Sequence, residues 1–250
     1  MNVFTIAGRE LRSIFNTTIG WLVLAGFLLV AGFLWSSMVS YYVMQSTDVV
    51  ANPYAASQMS FTDYLLAPFF GNVAVVLLML CPAISMRLFS EELKQRTLEL
   101  LLTSPLSTLE IVLGKFLGAM AFVVVMLVGT FTVPVTLLFW GEPDVGALVG
   151  GYLGVLLVSG AVISMGMLFS AFTSNQIVAL VWAFSAALVL WVLSWVSQEP
   201  GSIFERLALV SHVEDLLRGL VNLSDLVYFA AFIGFFLFAT WQRVESYRWS

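Results

Sequence analysis

The chain has 250 residues, of which 60% are hydrophobic and only 10% are charged, and its formal net charge is −5. A soluble domain carries about 25% charged residues, so this composition excludes a fully water-exposed surface and leaves apolar surface to face lipid. Ten Lys and Arg residues in an acidic chain provide no basic surface for nucleic acid. A single Cys excludes an internal disulfide, and a single His excludes a metal site built on histidines.

Long uncharged stretches predict transmembrane helices. A spanning helix needs about 20 mostly apolar residues, because the hydrocarbon core is about 30 Å thick. The apolar runs do not alternate with polar residues, which disfavours barrel strands, and backbone groups in lipid must bond within a helix or a closed barrel. We therefore expect an all-α, polytopic membrane protein with a single transmembrane domain. The predicted spans cover residues 19–44, 64–86, 109–140, 145–172, 177–197 and 225–242.

The positive charges predict the orientation of these spans. If the N-terminus lies inside, the outer segments hold only Arg206 and Arg218, and the other eight Lys and Arg residues lie inside. Cytoplasmic loops carry such an excess of Lys and Arg. Both termini are therefore expected in the cytoplasm.

Residues 1–17 form an amphipathic segment ahead of the first span. Arg9 and Arg12 share its polar face, which is typical of a helix that lies in the membrane interface with its arginines near lipid phosphates. Two interpretations remain open for this segment. It is a short amphipathic segment without a separate role, or it is an elbow helix that helps to orient the first span.

The predicted inner loop, residues 87–108, begins with charged residues and continues into a leucine-rich stretch that ends at Pro105, which cannot continue a helix. Ser107 and Glu110 stand at the spacing of a capping box, so the third span is expected to begin there. The leucine side chains of a helix outside lipid must be buried against another surface. That surface is either the inner ends of neighbouring spans or a groove on a cytoplasmic partner.

The predicted outer segment, residues 198–224, is also amphipathic. It either lies on the outer surface or enters the membrane as a re-entrant pair of helices broken around Ser211 and His212. Irregular backbone at depth is tolerated where it is buried in protein or lines a cavity. The re-entrant interpretation therefore implies a pathway or a subunit interface.

Several kinds of chemistry are missing from the sequence. Gly114 and Lys115 do not belong to an ATP-binding P-loop, because Leu109 stands where the motif needs its first glycine. No charged residue falls in the middle of a predicted span, which disfavours an ion-coupled transporter and an intramembrane enzyme. Cys81 is expected to be a buried apolar residue. His212 has no catalytic partner nearby in sequence.

Two runs resemble a known family. The run SEELKQRTLELLLTSPLSTLEIVLGKFLGA, residues 90–119, resembles the coupling region of type-2 ABC exporter permeases. The run SHVEDLLRGLVNLSDLVYFAAFIGFFLF, residues 211–238, is similar to the end of the gliding-motility-associated and copper-processing (nitrous-oxide-reductase maturation) members. Those members have an Arg-Gly pair, an Asp and a Tyr-Phe pair, which here are Arg218-Gly219, Asp225 and Tyr228-Phe229. The family commonly has a glycine just before the Thr of the coupling stretch. Here that residue is Arg96, so the helix is expected to continue without a break.

The resemblance implies a permease subunit of an exporter in the bacterial cytoplasmic (inner) membrane. It implies a second permease copy, in a homodimer or heterodimer, and cytoplasmic ATP-binding subunits that carry the ATP and Mg, so this chain is itself no enzyme and binds no cofactor. An auxiliary periplasmic or membrane subunit is compatible with it. The residues that it implies for docking of the ATP-binding subunit are Glu91, Glu92, Arg96, Thr97, Leu98, Glu99 and Leu102. Those that it implies for an outer gate are Phe204, Leu207, His212, Leu217, Arg218 and Gly219.

Two other functions compete with the permease. The first is a structural membrane anchor that holds an ATPase or an envelope machine, such as a gliding complex, without passing a substrate. The second is a channel or secondary transporter, which the absence of intramembrane charge disfavours, although a channel can use backbone carbonyls. The span residues that are polar are mostly Ser, Thr and Gly, and the sequence names no substrate.

Overall fold

A computed structural model describes residues 2–50, 62–98, 107–140, 144–196 and 202–248. Throughout these ranges the chain is helical apart from short turns, and no β-strand occurs in them. The expected all-α architecture is confirmed. The helices are α1 Asn2–Asn16, α2 Thr18–Val50, a π-helical turn Thr62–Leu66, α3 Ala67–Ser85, α4 Arg87–Gln95, α5 Thr108–Gly129, α6 Thr132–Trp140, α7 Val145–Phe172, α8 Gln176–Val196, α9 Ile203–Leu207, α10 Leu209–Leu217 and α11 Leu223–Ser246.

Among the described residues, six helical segments are long and apolar enough to cross a membrane, as the sequence predicts. The most apolar windows of α2, α8 and α11 are only 11%, 17% and 17% buried within the chain. Their apolar side chains therefore face lipid or another subunit. The six spans are Thr18–Ser46, Thr62–Gln95, Thr108–Gly129, Val145–Phe172, Gln176–Trp195 and Leu223–Ser246.

Helix α7 lies at the centre of the fold. It packs against α3, α5, α8, α10 and α11, and 72% of its most apolar window is buried. Glycines permit this close packing: a Cβ added at Gly151 would overlap the ring of Phe70, and one at Gly166 would overlap Ser85. Small residues at such contacts allow helix backbones to approach closely in membranes.

The second span is longer than a membrane requires. Its continuous helical segment, Thr62–Gln95, has 34 residues. At about 1.5 Å per residue this corresponds to about 51 Å, whereas the hydrocarbon core is about 30 Å thick. The last nine residues, which form α4, have a strongly polar composition. Helix α4 therefore extends beyond the membrane at one end of the span.

The structure divides the predicted third span, residues 109–140, into two helices. Helix α5 ends at Gly129, Thr130 and Phe131 form a turn, and α6 begins at Thr132. Pro134 has no N–H to donate to the carbonyl of Thr130, four residues earlier, so this helical hydrogen bond is missing at the interruption. That carbonyl accepts instead from the N–H of Val133 at 2.9 Å and from the hydroxyl of Tyr152 on α7 at 3.2 Å. Helix α5 alone has the length of a span.

Side-chain caps define the starts of two helices, and the sequence predicts the first of them. Ser107 and Glu110 form a reciprocal capping box at the start of α5. The polar break after α7 separates it from α8, whose first turn is capped by Asn175: its Oδ1 accepts from the backbone N of Ile177 at 3.0 Å. Side-chain caps of this kind satisfy backbone donors that a helix start leaves without partners.

Candidate functional site

Helix α4 is fixed at its start by a serine from α7. Ser170, which is fully buried, donates its hydroxyl to the carbonyl of Met86 at 2.7 Å. The same oxygen accepts from the backbone N–H of Phe89 at 3.1 Å and of Ser90 at 3.0 Å. The hydroxyl thus donates to a backbone carbonyl at the end of α3 and accepts from two backbone N–H groups in the first turn of α4. It joins the start of α4 to the C-terminal end of α7, the central helix.

Helix α1 lies directly against α5 at the same end of the molecule. A Cβ added at Gly114 would lie 2.6 Å from the Cβ of Ile6, and one at Gly118 would lie 2.9 Å from the carbonyl oxygen of Ala7. These two glycines are four residues apart, so they share one face of α5. Their missing side chains make the groove in which the N-terminal helix lies.

A buried ion cluster joins α1, α4 and α5. The Nζ of Lys115 on α5 lies 2.7 Å from Glu10 Oε1 on α1 and 2.8 Å from Glu92 Oε1 on α4. The Lys115 side chain is 2% exposed, and its ammonium also lies 5.3 Å from the ring centroid of Phe89. Glu92 Oε2 is buried without a hydrogen-bond partner in the described part of the chain. One cation therefore holds two carboxylates from two other helices.

The sequence-predicted docking residues occupy different environments. Glu99 and Leu102 lie outside the described residues. Arg96 is exposed at the end of α4, and Glu91 and Thr97 are partly exposed. These three residues are accessible to a partner.

Two further predicted docking residues face inward. Leu98 is 4% exposed and belongs to the hydrophobic core. Glu92 is directed at Lys115. Their contacts are with this chain, so a partner that meets α4 would contact its other side.

The expectation that the helix continues through Arg96 is wrong. Helix α4 ends at Gln95, and Arg96 adopts a left-handed conformation with φ 57°. The N–H of Thr97 donates to the carbonyl of Glu92 at 3.0 Å, and the N–H of Arg96 donates to that of Leu93 at 3.3 Å. This is the hydrogen-bond pattern of a Schellman motif, in which glycine usually occupies the left-handed position. Arg96 forms the same helix end without a glycine.

The predicted interfacial arginines lie on the open face of α1. Arg9 and Arg12 are both exposed, on the side opposite the buried Ile6 and Ile14. Phe4 is 80% exposed on the open face as well. An aromatic residue beside two cations suits the boundary between lipid tails and phosphates.

The segment that the sequence predicts to be outer forms a helical hairpin of α9 and α10, named the outer hairpin, and its α10 packs on the N-terminal part of α7. A Cβ at Gly154 would lie 3.1 Å from Val213 Cγ2 and 3.3 Å from Leu216 Cβ, both on α10. After α10 the chain turns at Gly219, where φ is +84° and a Cβ would lie 2.7 Å from the backbone N of Ala147. Only glycine fits both this conformation and this contact. Gly219 thus brings the chain across the N-terminus of α7 into α11.

The other predicted gate residues separate into outward-facing and inward-facing positions. Phe204 and Leu207 on α9 are 51% and 49% exposed, and Arg218 is exposed as well. Leu217 is buried, and the His212 side chain is only 19% exposed. The apolar surface of α9 is therefore free to meet lipid, substrate or a subunit, whereas α10 is part of the packed fold.

The inward-facing histidine is the centre of a polar cluster. His212 Nδ1 lies 2.8 Å from Asp225 Oδ1, and its Nε2 lies 3.1 Å from the carbonyl oxygen of Arg206. Its ring stacks on Tyr228 with centroids 3.9 Å apart, and the Tyr228 hydroxyl donates to the carbonyl of Leu207 at 2.8 Å. The cluster joins α9 and α10 to the start of α11.

The most important contacts could not be identified from the sequence. In the sequence, Lys115 is only one of the positive charges that predict the orientation. Its partners, Glu92 and Glu10, are 23 and 105 positions away along the chain. The one sequence feature that drew attention to Lys115 was the pair Gly114-Lys115 in the first run that resembles the family. Asp225 and Tyr228 stood in the second such run, and the structure brings both to His212.

No cluster of three or more His, Cys, Asp or Glu side chains suited to a metal ion occurs among the described residues. A search of curated proteins finds no match to the chain. The model of the family described as "ABC-2 family transporter protein" matches residues 4–238, which is nearly the whole chain and includes the contacts described above. The chain therefore belongs to the ABC-2 transporter family, as a membrane-embedded permease component.

Proposed function

We propose that this permease belongs to an exporter driven by a separate cytoplasmic ATP-binding subunit, which docks on α4 and on the segment that follows it. The observation that carries the proposal is the form of α4. It is a polar helix that projects beyond its span, with Arg96, Glu91 and Thr97 accessible at its open side. Its other side is tied to three helices of the membrane domain.

These ties give a route by which movement of α4 would reach the spans. Ser170 would transfer displacement at the base of α4 to α7, the central helix. Lys115 would transfer it to α5 and, through Glu10, to α1. Tightly packed elements respond as units rather than by gradual deformation. A partner that pulls α4 would therefore move several helices together.

A second permease copy fits the uncovered helices. The spans α2, α8 and α11 bury little of their surface within one chain. Large side chains such as Phe33, Trp182 and Phe235 remain 70%, 48% and 64% exposed. We propose that one of these faces meets the same face of a second copy in a homodimer, and that lipid covers the others.

The outer hairpin would be re-entrant in this arrangement. Helix α7 has 28 residues, and Gly154 is nine positions after its first residue. Those nine positions correspond to about 14 Å, and the whole helix to about 42 Å, against a core of about 30 Å. If α7 is centred in the hydrocarbon core, it extends about 6 Å beyond the core at each end. Gly154, and Val213 which packs on it, then lie about 8 Å inside the outer boundary of the core. Both termini, α4 and Lys115 then lie on the cytoplasmic side.

The kind of cargo is suggested by a cavity between α2, the π-helical turn and α6. It has a volume of about 580 Å³ and is lined mainly by apolar residues, among them Trp35, Val39, Leu65 and Leu137. A pocket of this kind suits a lipid-like molecule better than an ion. The run at residues 211–238 supports a place in the gliding-motility-associated or copper-processing group, where a polymeric cargo or none at all is the alternative.

The test compares two charge reversals on opposite sides of the membrane. The permease is purified from its native membrane in mild detergent, the ATP-binding protein that accompanies it is identified, and the ATPase rate of the reconstituted complex is measured. Arg96→Glu, on α4, is expected to weaken the association and lower the permease-dependent ATPase rate. Arg206→Glu, a reversal at another exposed arginine, on the outer hairpin, is the matched control and is expected to leave both unchanged.

Each alternative function gives its own result. If an ATP-binding protein associates and responds to Arg96→Glu but no cargo moves in proteoliposomes, the chain is a membrane anchor. If no ATP-binding protein associates and a solute still crosses, the chain is a channel or secondary transporter. Equal effects of the two reversals would show that α4 is not the docking element.

A further inference from the structure

Helix α1 runs alongside the span α5 and does not cross it at its end. On α5, Gly114 lies against Ile6 of α1. Four residues further along both helices, Gly118 lies against Glu10. Equal steps along the two helices mean that they are nearly parallel and run in the same direction. A helix that lay flat at the membrane surface would instead cross a span and leave it within a turn.

This course places α1 beside the part of α5 that spans the membrane. Helix α5 has 22 residues, so it is about 33 Å long, close to the thickness of the hydrocarbon core. Gly118 and Phe122 are ten and fourteen positions after Thr108, about 15 and about 21 Å along the helix. The ring of Phe15, near the end of α1, meets that of Phe122 with centroids 5.4 Å apart. Helix α1 therefore extends to the middle of the span.

The face of α1 that points away from α5 is exposed and mainly polar. Its exposed residues are Phe4, Thr5, Gly8, Arg9, Arg12, Ser13 and Asn16. Lipid tails offer no hydrogen-bond partner, so polar side chains at such depth line water or protein. A long arginine side chain can extend its charged end to the phosphate layer. The amide of Asn16 is too short to do so, and it has no hydrogen-bond partner in the described part of the chain. A water-filled cleft on this face supplies one.

A notch at Gly8, between the side chains of Phe4 and Arg12, makes this face concave. The three residues follow each other at intervals of four, so they lie in one row with the glycine in the middle. A Cβ added at Gly8 would have no other atom within 4 Å. The cavity over the notch has a volume of about 750 Å³, and its lining includes Arg9 and Asn16. Ligand sites in proteins have volumes of about 300–1,000 Å³. The notch is therefore large enough for a headgroup.

The notch carries positive charge that the chain itself does not neutralise. Among the described residues, neither Arg9 nor Arg12 forms an ion pair with a carboxylate. The acidic residue of α1, Glu10, is turned to Lys115 on α5. Guanidinium groups bind phosphate through paired hydrogen bonds. Phe4, which is 80% exposed, adds an apolar surface beside the two cations. This combination suits a ligand with an anionic end and an apolar body.

We infer that the notch of α1 binds the phosphate-bearing headgroup of an anionic lipid, and that this lipid is the cargo. The headgroup leaves the phosphate layer and enters the cleft beside α5, while its acyl chains stay among the lipid tails. Arg9 and Arg12 replace the water that its phosphate loses, which lowers the cost of bringing the charge below the surface. The cargo role rests on the proposed function, whereas the binding site rests on contacts within one chain.

The cleft and its ligand are tested with one introduced thiol. Ser13→Cys places it on the polar face of α1, while Cys81 stays buried. In phosphatidylcholine nanodiscs, a membrane-impermeant maleimide is expected to label position 13 but not Leu29→Cys, on the apolar surface of α2 and 75% exposed. Phosphatidic acid in the nanodiscs should slow the labelling of position 13 about tenfold, which corresponds to about 1.4 kcal/mol of charge-assisted binding. Inorganic phosphate should not protect it, because it has no chains to hold it there.

Two changes to the notch remove the ligand without disturbing the packing of α1 on α5. Arg9→Gln combined with Arg12→Gln should abolish the protection by phosphatidic acid and keep the labelling in phosphatidylcholine. Gly8→Leu fills the notch and should abolish the protection as well. Gly26→Leu, at another exposed helical glycine with open space around it, is the matched control and should keep the protection.

Three results would overturn the inference. If position 13 is labelled no faster than position 29, the cleft holds no water. If phosphatidic acid protects the double arginine variant as well as the parent, the notch is not the headgroup site. If it stimulates the ATPase rate of the reconstituted complex equally in both, the bound lipid is structural and is not the cargo. The labelling needs no ATP, so a missing ATP-binding partner would defeat the proposed function and leave the headgroup site in place.

Discussion

Replacing Lys115 by methionine removes the cation on which three helices meet, with little change in side-chain length. The carboxylates of Glu10 and Glu92 then face each other without a counter-charge, and their side chains are only 16% and 20% exposed. Removing one partner from a buried ion pair costs about 3–5 kcal/mol, because the remaining charge is left without compensation. We expect Lys115→Met to destabilise the inner end of the fold by this amount.

Two further variants separate charge from packing. Lys115→Arg keeps the cation and is expected to cost much less, although the planar guanidinium does not reproduce the geometry of an ammonium. The triple variant Lys115→Met, Glu10→Gln, Glu92→Gln removes all three charges. Replacement of a whole buried ion cluster by neutral groups is often close to neutral in free energy. The triple variant should therefore recover most of the stability that Lys115→Met loses.

The protein carries its own reporter for this experiment. Cys81 is the single cysteine of the chain and is fully buried, so a thiol-reactive dye labels it only when the fold opens. With about 2–4 °C per kcal/mol for chains of this size, Lys115→Met should lower the apparent melting temperature by about 6–20 °C. A triple variant as unstable as Lys115→Met would refute the electrostatic reasoning and would attribute the loss to packing.

The same thiol assay tests three other contacts. Arg96→Gly should stabilise the protein by about 1 kcal/mol, because glycine avoids the cost of the left-handed conformation, whereas Arg96→Ala should not. A gain in stability in both variants would contradict a left-handed residue at the end of α4. Ser170→Ala leaves two buried N–H groups unpaired and should cost about 1–3 kcal/mol of stability. An unchanged melting temperature would show that Ser170 does not stabilise the start of α4. Gly151→Ala should cost about 1–3 kcal/mol or more, because its methyl group overlaps Phe70. Gly26→Ala, with open space around it, should not destabilise the protein, because alanine is the better helix former.

The spans could be predicted because each depends on its own segment. A run of about 20 apolar residues is sufficient to place a helix in lipid, whatever its neighbours are. Caps are similarly local: Ser107 and Glu110 are three residues apart and meet as soon as the helix forms. The interruption after Gly129 was harder to place, because proline is tolerated in membrane helices when another group satisfies the freed carbonyl. Here the carbonyl of Thr130 accepts from the N–H of Val133 in the turn and from the Tyr152 hydroxyl on a different helix.

The candidate sites depend on contacts that sequence patterns do not encode. The charged start of the inner loop suggested a solvated surface, and Glu92 instead turns to Lys115 because α1, α4 and α5 converge there. A single sequence gives no information on this convergence. His212 was noted as the lone histidine, but its partner Asp225 lies 13 positions away, beyond a turn that only Gly219 permits. The family resemblance indicated the correct region and left the pairing to the structure.

The central claim is that α4 is the element through which an ATP-binding subunit acts on this permease. The most direct measurement places a photo-reactive amino acid at Lys94, on the exposed side of α4, and at Arg206, on the outer hairpin, and irradiates native membranes. The account predicts a crosslink from position 94 to a protein with an ATP-binding P-loop, with a yield that changes on ATP addition, and no such crosslink from position 206. An absence of any P-loop protein at position 94, or an equal yield at both positions, would contradict it.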